Sequence, residues 1–134
     1  MKENSKPKKV KKPSSKHFKL EEFHCKDGTP VPEEYYENVQ ELMDNLEVIR
    51  EHFGGIYPIR INSGYRTPSY NKSVGGAGKS QHLTASAADF RISITPSIVQ
   101  DTIEQLQKDG KIKKGGLGRY PTFTHYDIGK YRSW

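Results

Sequence analysis

The chain has 134 residues, which fits one small domain. Its net charge is +6, but Lys and Pro crowd residues 6–13, so residues 1–16 read as a basic tail and residues 17–134 as a domain closer to neutral. Cys25 is the single cysteine, which excludes an internal disulfide and a thiolate metal cluster. No apolar run follows the basic residues as in a secretory signal, and none is long enough to cross a bilayer, so the chain reads as soluble and unexported.

Residues 18–23 set apolar side chains singly among charges and residues 25–32 carry turn chemistry, so no helix is expected before Pro32. Beyond it, Glu33 and Glu34 suit the positive end of a helix. Val39, Leu42, Met43, Leu46, Ile49 and Phe53 then recur at helical spacing up to Gly54 and Gly55. Residues 58–62 alternate as a half-buried strand does, and residues 63–68 end it with turn chemistry. Residues 71–80 read as a loop whose glycines let the backbone approach a ligand closely. Residues 87–92 form the next expected strand. Thr95 and Pro96 then open a second helix, with Thr as cap and Pro in the first turn, that carries Ile98, Val99, Ile103 and Leu106 to Gly110. Residues 115–120 and 123–128 read as an antiparallel hairpin around Pro121. The order predicts an α+β fold, a mostly antiparallel sheet with flanking helices. A domain of this size buries a modest share of its surface, and a metal that ties loops together would supplement its core.

Catalytic zinc takes three protein ligands from His, Asp and Glu and keeps one position open. His82 ends the Gly-rich loop, Asp89 sits on the strand that follows, and His125 lies mid-way along the last strand, where pairing could gather all three. His17, His24 and His52 lack such placement. Each candidate also has a plainer use: His82 capping a turn, Asp89 paired with Arg91 or an arginine on another strand, His125 as a satisfied sheet histidine. Ala87, Ala88 and Phe90 make the surroundings of Asp89 apolar, where an unpaired carboxylate is costly and a metal would remove the cost.

Several stretches carry a further signal in their order: Ser63-Gly-Tyr-Arg-Thr-Pro68, Asn71, Val74-Gly-Gly-Ala77, Ser80-Gln-His-Leu83, Ala87-Ala-Asp89, Gly116-Leu-Gly-Arg-Tyr120 and His125-Tyr-Asp127. Together they resemble the zinc D-Ala-D-Ala carboxypeptidase family, in particular its short single-domain members, over residues 18–134. The resemblance implies a fold shared with Hedgehog-like and lysostaphin-like metal domains, with Zn2+ held by His82, Asp89 and His125. It also implies that Arg66 anchors or polarises a substrate carboxylate or carbonyl and that Ser80 helps to position the substrate; the planar fork of Arg suits both tasks. The hydrolysis so implied needs an activated water and a base that passes a proton to the leaving amine. Here the chain departs from the pattern. Thr122 and Phe123 stand where relatives carry an acid three residues, or a His two residues, before the last ligand, and Ala85 stands where many have Gly. Asp127, on the same strand face as His125, is the remaining candidate for the base, and equally for a carboxylate that orients a ligand His. Arg119 and Tyr120, just before the hairpin turn that leads to His125, could line the cleft but are assigned to surface packing, and Trp134 to a lid or a plug over the core.

The leading expectation is a zinc metallopeptidase, monomeric, that cuts peptide bonds at D-amino acids in peptidoglycan stem peptides, as carboxypeptidase or cross-link endopeptidase. The alternative is an inactive zinc-containing binding or structural module, for instance of a phage particle. Wall peptides lie outside the cytoplasm, so the first reading expects a phage-encoded protein released at lysis, or a start site other than Met1. The basic tail could hold a polyanion by counterion release, or only keep the chain soluble. Without a helix-turn-helix pattern, zinc-finger spacing or an aromatic-basic stacking motif, it makes no case for a nucleic-acid binder by itself.

Overall fold

The computed structural model describes residues 11–134. A short 3-10 turn, Glu33–Tyr35, follows Pro32 and runs directly into helix α1, Tyr36–His52. The predicted stripe of Val39, Leu42, Met43, Leu46 and Ile49 is buried, and Gly54 and Gly55, both in the left-handed region, end the helix. Strand β1, Arg60–Ser63, precedes the short helix α2, Pro68–Ser73, and a 3-10 turn, Gln81–Thr84, leads into β2, Ala87–Arg91. Helix α3, Pro96–Lys108, and strands β3, Gly116–Arg119, β4, Thr124–Asp127, and β5, Arg132–Ser133, complete the order.

The five strands form one sheet in the order β1-β2-β4-β3-β5, antiparallel throughout except for the parallel β3–β5 pair. The α+β class with a mostly antiparallel sheet and flanking helices is as the sequence predicts. Period-two alternation divides the sheet cleanly. Ala88, Phe90, Leu117 and Tyr126 turn one way and join the stripes of α1 and α3 in the core. Asp89, His125, Asp127, Gly116 and Gly118 share the opposite face.

Three elements depart from expectation. Leu20–Phe23 is a 3-10 turn ahead of Pro32, and its two ends, Leu20 and Phe23, are both buried; one turn is too short to leave a periodic signal. The loop expected at residues 71–80 begins inside α2, whose N-cap Thr67 accepts from Tyr70 N–H at 3.1 Å. Strand β5 has two residues and no alternation to read. Within α3, Ile98 is 53% exposed although its spacing placed it in the stripe, and Thr95 occupies the N-cap without a side-chain bond.

Buried glutamines on α3 do work that the apolar pattern does not reveal. Gln100 Nε2 donates to the carbonyls of Tyr120 and Phe123 and to Thr124 Oγ1, holding both sides of the β3–β4 turn. Gln107 Oε1 accepts from Gly115 N–H at the start of β3. At the other end of the chain, residues 1–10 and most of the basic stretch lie outside the described residues. The part that follows lies against the body: Ser14 pairs with Gln40, and Glu47 accepts from Ser15 and from His17 N–H. No helix among the described residues is long and apolar enough to cross a membrane.

If Gln100 fastens the turn, Gln100→Ala leaves buried carbonyls unpaired and should cost about 1–3 kcal/mol in urea unfolding. Unchanged stability would mean that strand register alone holds the hairpin.

Candidate metal centre

The sheet register builds most of the site. Asp89 lies directly opposite His125 across β2 and β4, Ser63 of β1 is the partner of Asp89, and Gly118 of β3 is the partner of His125. His82 arrives from outside the sheet on the 3-10 turn before β2, where Ser80 Oγ accepts from its backbone N–H at 3.1 Å. The turn ends at Ala85, with φ 57°, the one non-glycine residue at positive φ among the described residues. A left-handed Ala costs about 1–2 kcal/mol, so the position where Gly was expected is strained here. The result is that His82, Asp89 and His125, all buried, each offer a ligand atom, and these atoms lie within 4.8 Å of one another.

The hydrogen bonds around the trio define what it needs. His82 Nδ1 lies 2.7 Å from the Gly64 carbonyl, which only accepts, so Nδ1 carries the proton and Nε2 a lone pair. His125 Nε2 lies 2.7 Å from Asp127 Oδ2, so in the neutral ring Nδ1 presents the lone pair. Both lone pairs meet Asp89 Oδ1, at 3.3 Å from His82 Nε2 and 2.8 Å from His125 Nδ1. Two imidazole lone pairs and a carboxylate oxygen repel unless a cation sits among them. The set His, His and Asp, with the far side of each ring fixed by a carbonyl or a carboxylate, is the donor chemistry of a zinc site.

Titration follows the same logic. Burial alone would raise Asp89, but hydrogen bonds from His125 and His82 outweigh it and hold the carboxyl well below its ordinary range. Burial alone would lower His125, but its bonds to Asp127 and Asp89 outweigh that and raise it above its ordinary value. Both directions mean that, without a metal, Asp89 favours its charged form and His125 holds its proton more tightly than a free imidazole does. Asp127, which burial alone would raise, is lowered to about 2 by His125 and Arg132, so it stays an acceptor.

Arg66 reaches the trio from the turn after β1. Its Nε donates to Ser63 Oγ, one terminal nitrogen donates to Asn71 Oδ1 at 3.2 Å and the other to Asp89 Oδ2 at 3.1 Å. Three of the five guanidinium N–H groups are thereby committed, and two remain for the cleft that Arg66 lines. Asp89 pairs with this arginine of the preceding turn; Arg91, two residues along on the same strand, is exposed. Asn71, buried on α2, also donates to the Ala77 carbonyl at 2.9 Å and so ties the Gly-rich loop to Arg66.

Asp127 does not open onto the cleft. Its side chain is 0% exposed, and its oxygens accept from Gly116 N–H, Gly129 N–H and both terminal nitrogens of Arg132 besides facing His125. Gly116 makes room for this, because a Cβ there would collide with the carboxylate. Of the two roles open to Asp127, these contacts favour orienting His125. Arg132 comes from β5 and its guanidinium carbon lies 4.9 Å from the centre of the Trp134 ring.

Trp134 is 46% exposed and packs beside His125, with ring centres 4.9 Å apart, so it walls the cleft instead of plugging the core. Tyr120 also lines the cleft, contrary to its assignment to surface packing, whereas Arg119 turns outward to Asp101 and Glu104. The cleft, of about 460 Å³, has the trio at its base and Arg66, Ser80, Tyr120 and Trp134 in its walls. Sequence reasoning missed Asn71 and Arg132 as parts of the site; of the two, Asn71 had a signal, its place among the matching stretches. Among the other histidines, His17 faces Glu47 and His24 Nδ1 accepts from Val31 N–H.

Fold and site together define a small α+β domain with a buried His-Asp-His cluster at the base of an open cleft, the arrangement of a metal-dependent hydrolase. The chain belongs to the peptidase M15 family: the family model described as Peptidase M15 matches residues 16–127. At family level it is a peptidase of the zinc D-Ala-D-Ala carboxypeptidase type. No match to the chain is found among curated proteins.

Because His125 is raised in the folded metal-free protein, the stability it contributes is fully present below its unfolded value of about 6.5 and is lost as the pH rises through the folded value. Zinc held by His125 would compete with that proton, so the gap in melting temperature between zinc-loaded and metal-free protein should widen as pH increases across this window. A constant gap would show that His125 does not exchange a proton for metal. Asp127→Asn should weaken zinc affinity by about 10–100-fold in a chelator competition, with the fold intact by circular dichroism.

Proposed function

We propose that the protein is a zinc metallopeptidase that hydrolyses peptide bonds at D-amino acids in peptidoglycan, as a D-Ala-D-Ala carboxypeptidase or a cross-link endopeptidase. The observation that carries this reading is the meeting of two imidazole lone pairs and one carboxylate oxygen at the base of an open cleft. Membership of the peptidase M15 family supports the peptide-bond chemistry.

His82 Nε2, Asp89 and His125 Nδ1 would hold the ion, which when bound supplies Lewis-acid polarisation of a carbonyl and acidifies water. The chain's own residues do the rest. Asp127 keeps the proton on His125 Nε2 and so keeps Nδ1 available. Arg66 withdraws Asp89 Oδ2 from the centre and aligns Oδ1, while its two uncommitted N–H groups suit a carboxylate or a developing oxyanion. Ser80, whose oxygen caps the His82 turn, retains its O–H for substrate. Arg66, Lys79 and Arg132 make the cleft cationic, which favours a peptide that carries carboxylates. A polyanion contact through the basic residues 6–13 would be accessory to this activity.

One observation favours the second reading, a zinc module without turnover. Among the described residues that line the cleft, Asp89 is the single carboxylate, and Thr122 and Phe123 occupy the places where a base was expected.

Purified protein incubated with purified peptidoglycan, with released peptides read by mass spectrometry, separates the two. Loss of a terminal D-Ala or opening of cross-links, abolished by His82→Ala and by a chelator, is the expected result. Intact peptidoglycan from protein that holds one zinc per chain would favour the inactive module.

A further inference from the structure

We propose that Tyr120 is a catalytic residue of this site, its phenolic O–H donating to the substrate oxygen that gains negative charge as the peptide bond is attacked. The inference rests on the peptidase reading above and adds a second donor, beside Arg66, for the developing charge.

Four observations converge on the phenol. Trp134 Nε1 donates to Tyr120 Oη at 2.8 Å, occupying a lone pair on that oxygen. A phenol has one proton, and among the described residues no acceptor takes it, so the O–H remains available to the cleft that Tyr120 lines. The ring is held rigidly: it stacks on Phe123 with centres 4.4 Å apart and planes 9° apart, and Gln100 Nε2 fixes its carbonyl at 3.1 Å. Finally, the ring is brought up to the trio by an absent side chain. A Cβ on Gly118 would lie 2.9 Å from both Tyr120 Cε2 and His125 Cβ and 3.0 Å from Trp134 Cε2, so glycine at this position lets Tyr120, Trp134 and His125 share one corner.

Among the other polar groups of the cleft, Arg66 and Ser80 keep donors for the substrate. His82, Asp89 and His125 form the trio, and Arg132 is clamped on Asp127. Lys79 is exposed on the Gly-rich loop. A preset neutral donor aimed at developing charge is worth about 100- to 1,000-fold in kcat. Rigid mounting is what makes such a donor selective for the transition state over the ground state.

The test is Tyr120→Phe, which keeps the stacked ring and removes only the hydroxyl. Wild type and variant are compared for kcat and KM on a synthetic stem pentapeptide ending in D-Ala-D-Ala, for zinc content and melting temperature, and for affinity to a phosphinate analogue of D-Ala-D-Ala, whose tetrahedral oxyanion mimics the charged state. The expected result is a kcat lower by about 100-fold or more, a similar loss of phosphinate affinity, and unchanged KM, zinc content and melting temperature. Trp134→Phe, which removes the N–H that aims the phenol, should give a smaller loss in the same two readouts. Turnover by wild type with kcat retained in Tyr120→Phe would overturn the inference and leave the peptidase reading standing. Absence of turnover in wild type would sink the peptidase reading. Weaker phosphinate binding by Tyr120→Phe would then still support the role of the phenol, and equal or absent binding would overturn it.

Discussion

Asp89 Oδ1 is shared by two imidazole nitrogens that approach it from different parts of the chain, His82 from a turn and His125 from the paired strand. Much of the architecture around the sheet serves to hold three electron-rich atoms at a distance they would not choose unaided. The register of β2 against β4 places Asp89 beside His125, and the αL turn at Ala85 folds His82 back over the same face. Ser63, Arg66 and Asn71 then secure the second carboxylate oxygen. A cation at the centre would turn this repulsion into cohesion and so couple metal binding to the local stability of β2, β4 and the His82 turn.

The second ring of contacts has an order of its own. Arg132 grips Asp127, Asp127 grips His125, and Trp134 lies against both Arg132 and His125. Both Arg132 and Trp134 belong to the stretch after residue 127, beyond the part that matches the family. The side chain that fixes the tautomer of His125 is thus itself fixed by a two-residue strand. Glycine is needed twice on β3 for this to happen, at Gly116 to admit the Asp127 carboxylate and at Gly118 to admit the Tyr120 and Trp134 rings.

The sequence made the trio a candidate because His82, Asp89 and His125 fall on neighbouring ordered segments, and the resemblance to the carboxypeptidase family implied the three together. The helices were legible from stripes such as Val39, Leu42, Met43, Leu46 and Ile49, which answer to burial alone. What could not be read was polar and non-local. Gln100 looks like a surface residue of an amphipathic helix until the carbonyls of Tyr120 and Phe123 are seen to need it. Asp127 on the face of His125 fitted a base as well as an orienting carboxylate, because alternation says which face a side chain takes and not whether Arg132 and two backbone amides already surround it. Ala85 carried a visible departure from the expected glycine, and its positive φ gives that departure a physical cost.

The central claim is that the lone pairs of His82 Nε2 and His125 Nδ1, with Asp89 between them, exist to hold zinc. Anomalous diffraction at the zinc edge, from crystals of protein loaded with one equivalent, tests it most directly. A single peak bounded by His82 Nε2, Asp89 and His125 Nδ1, with Nε2 of His125 still on Asp127, is the predicted result. A peak at another set of residues, or His125 turned to present Nε2 to the ion, would contradict the account.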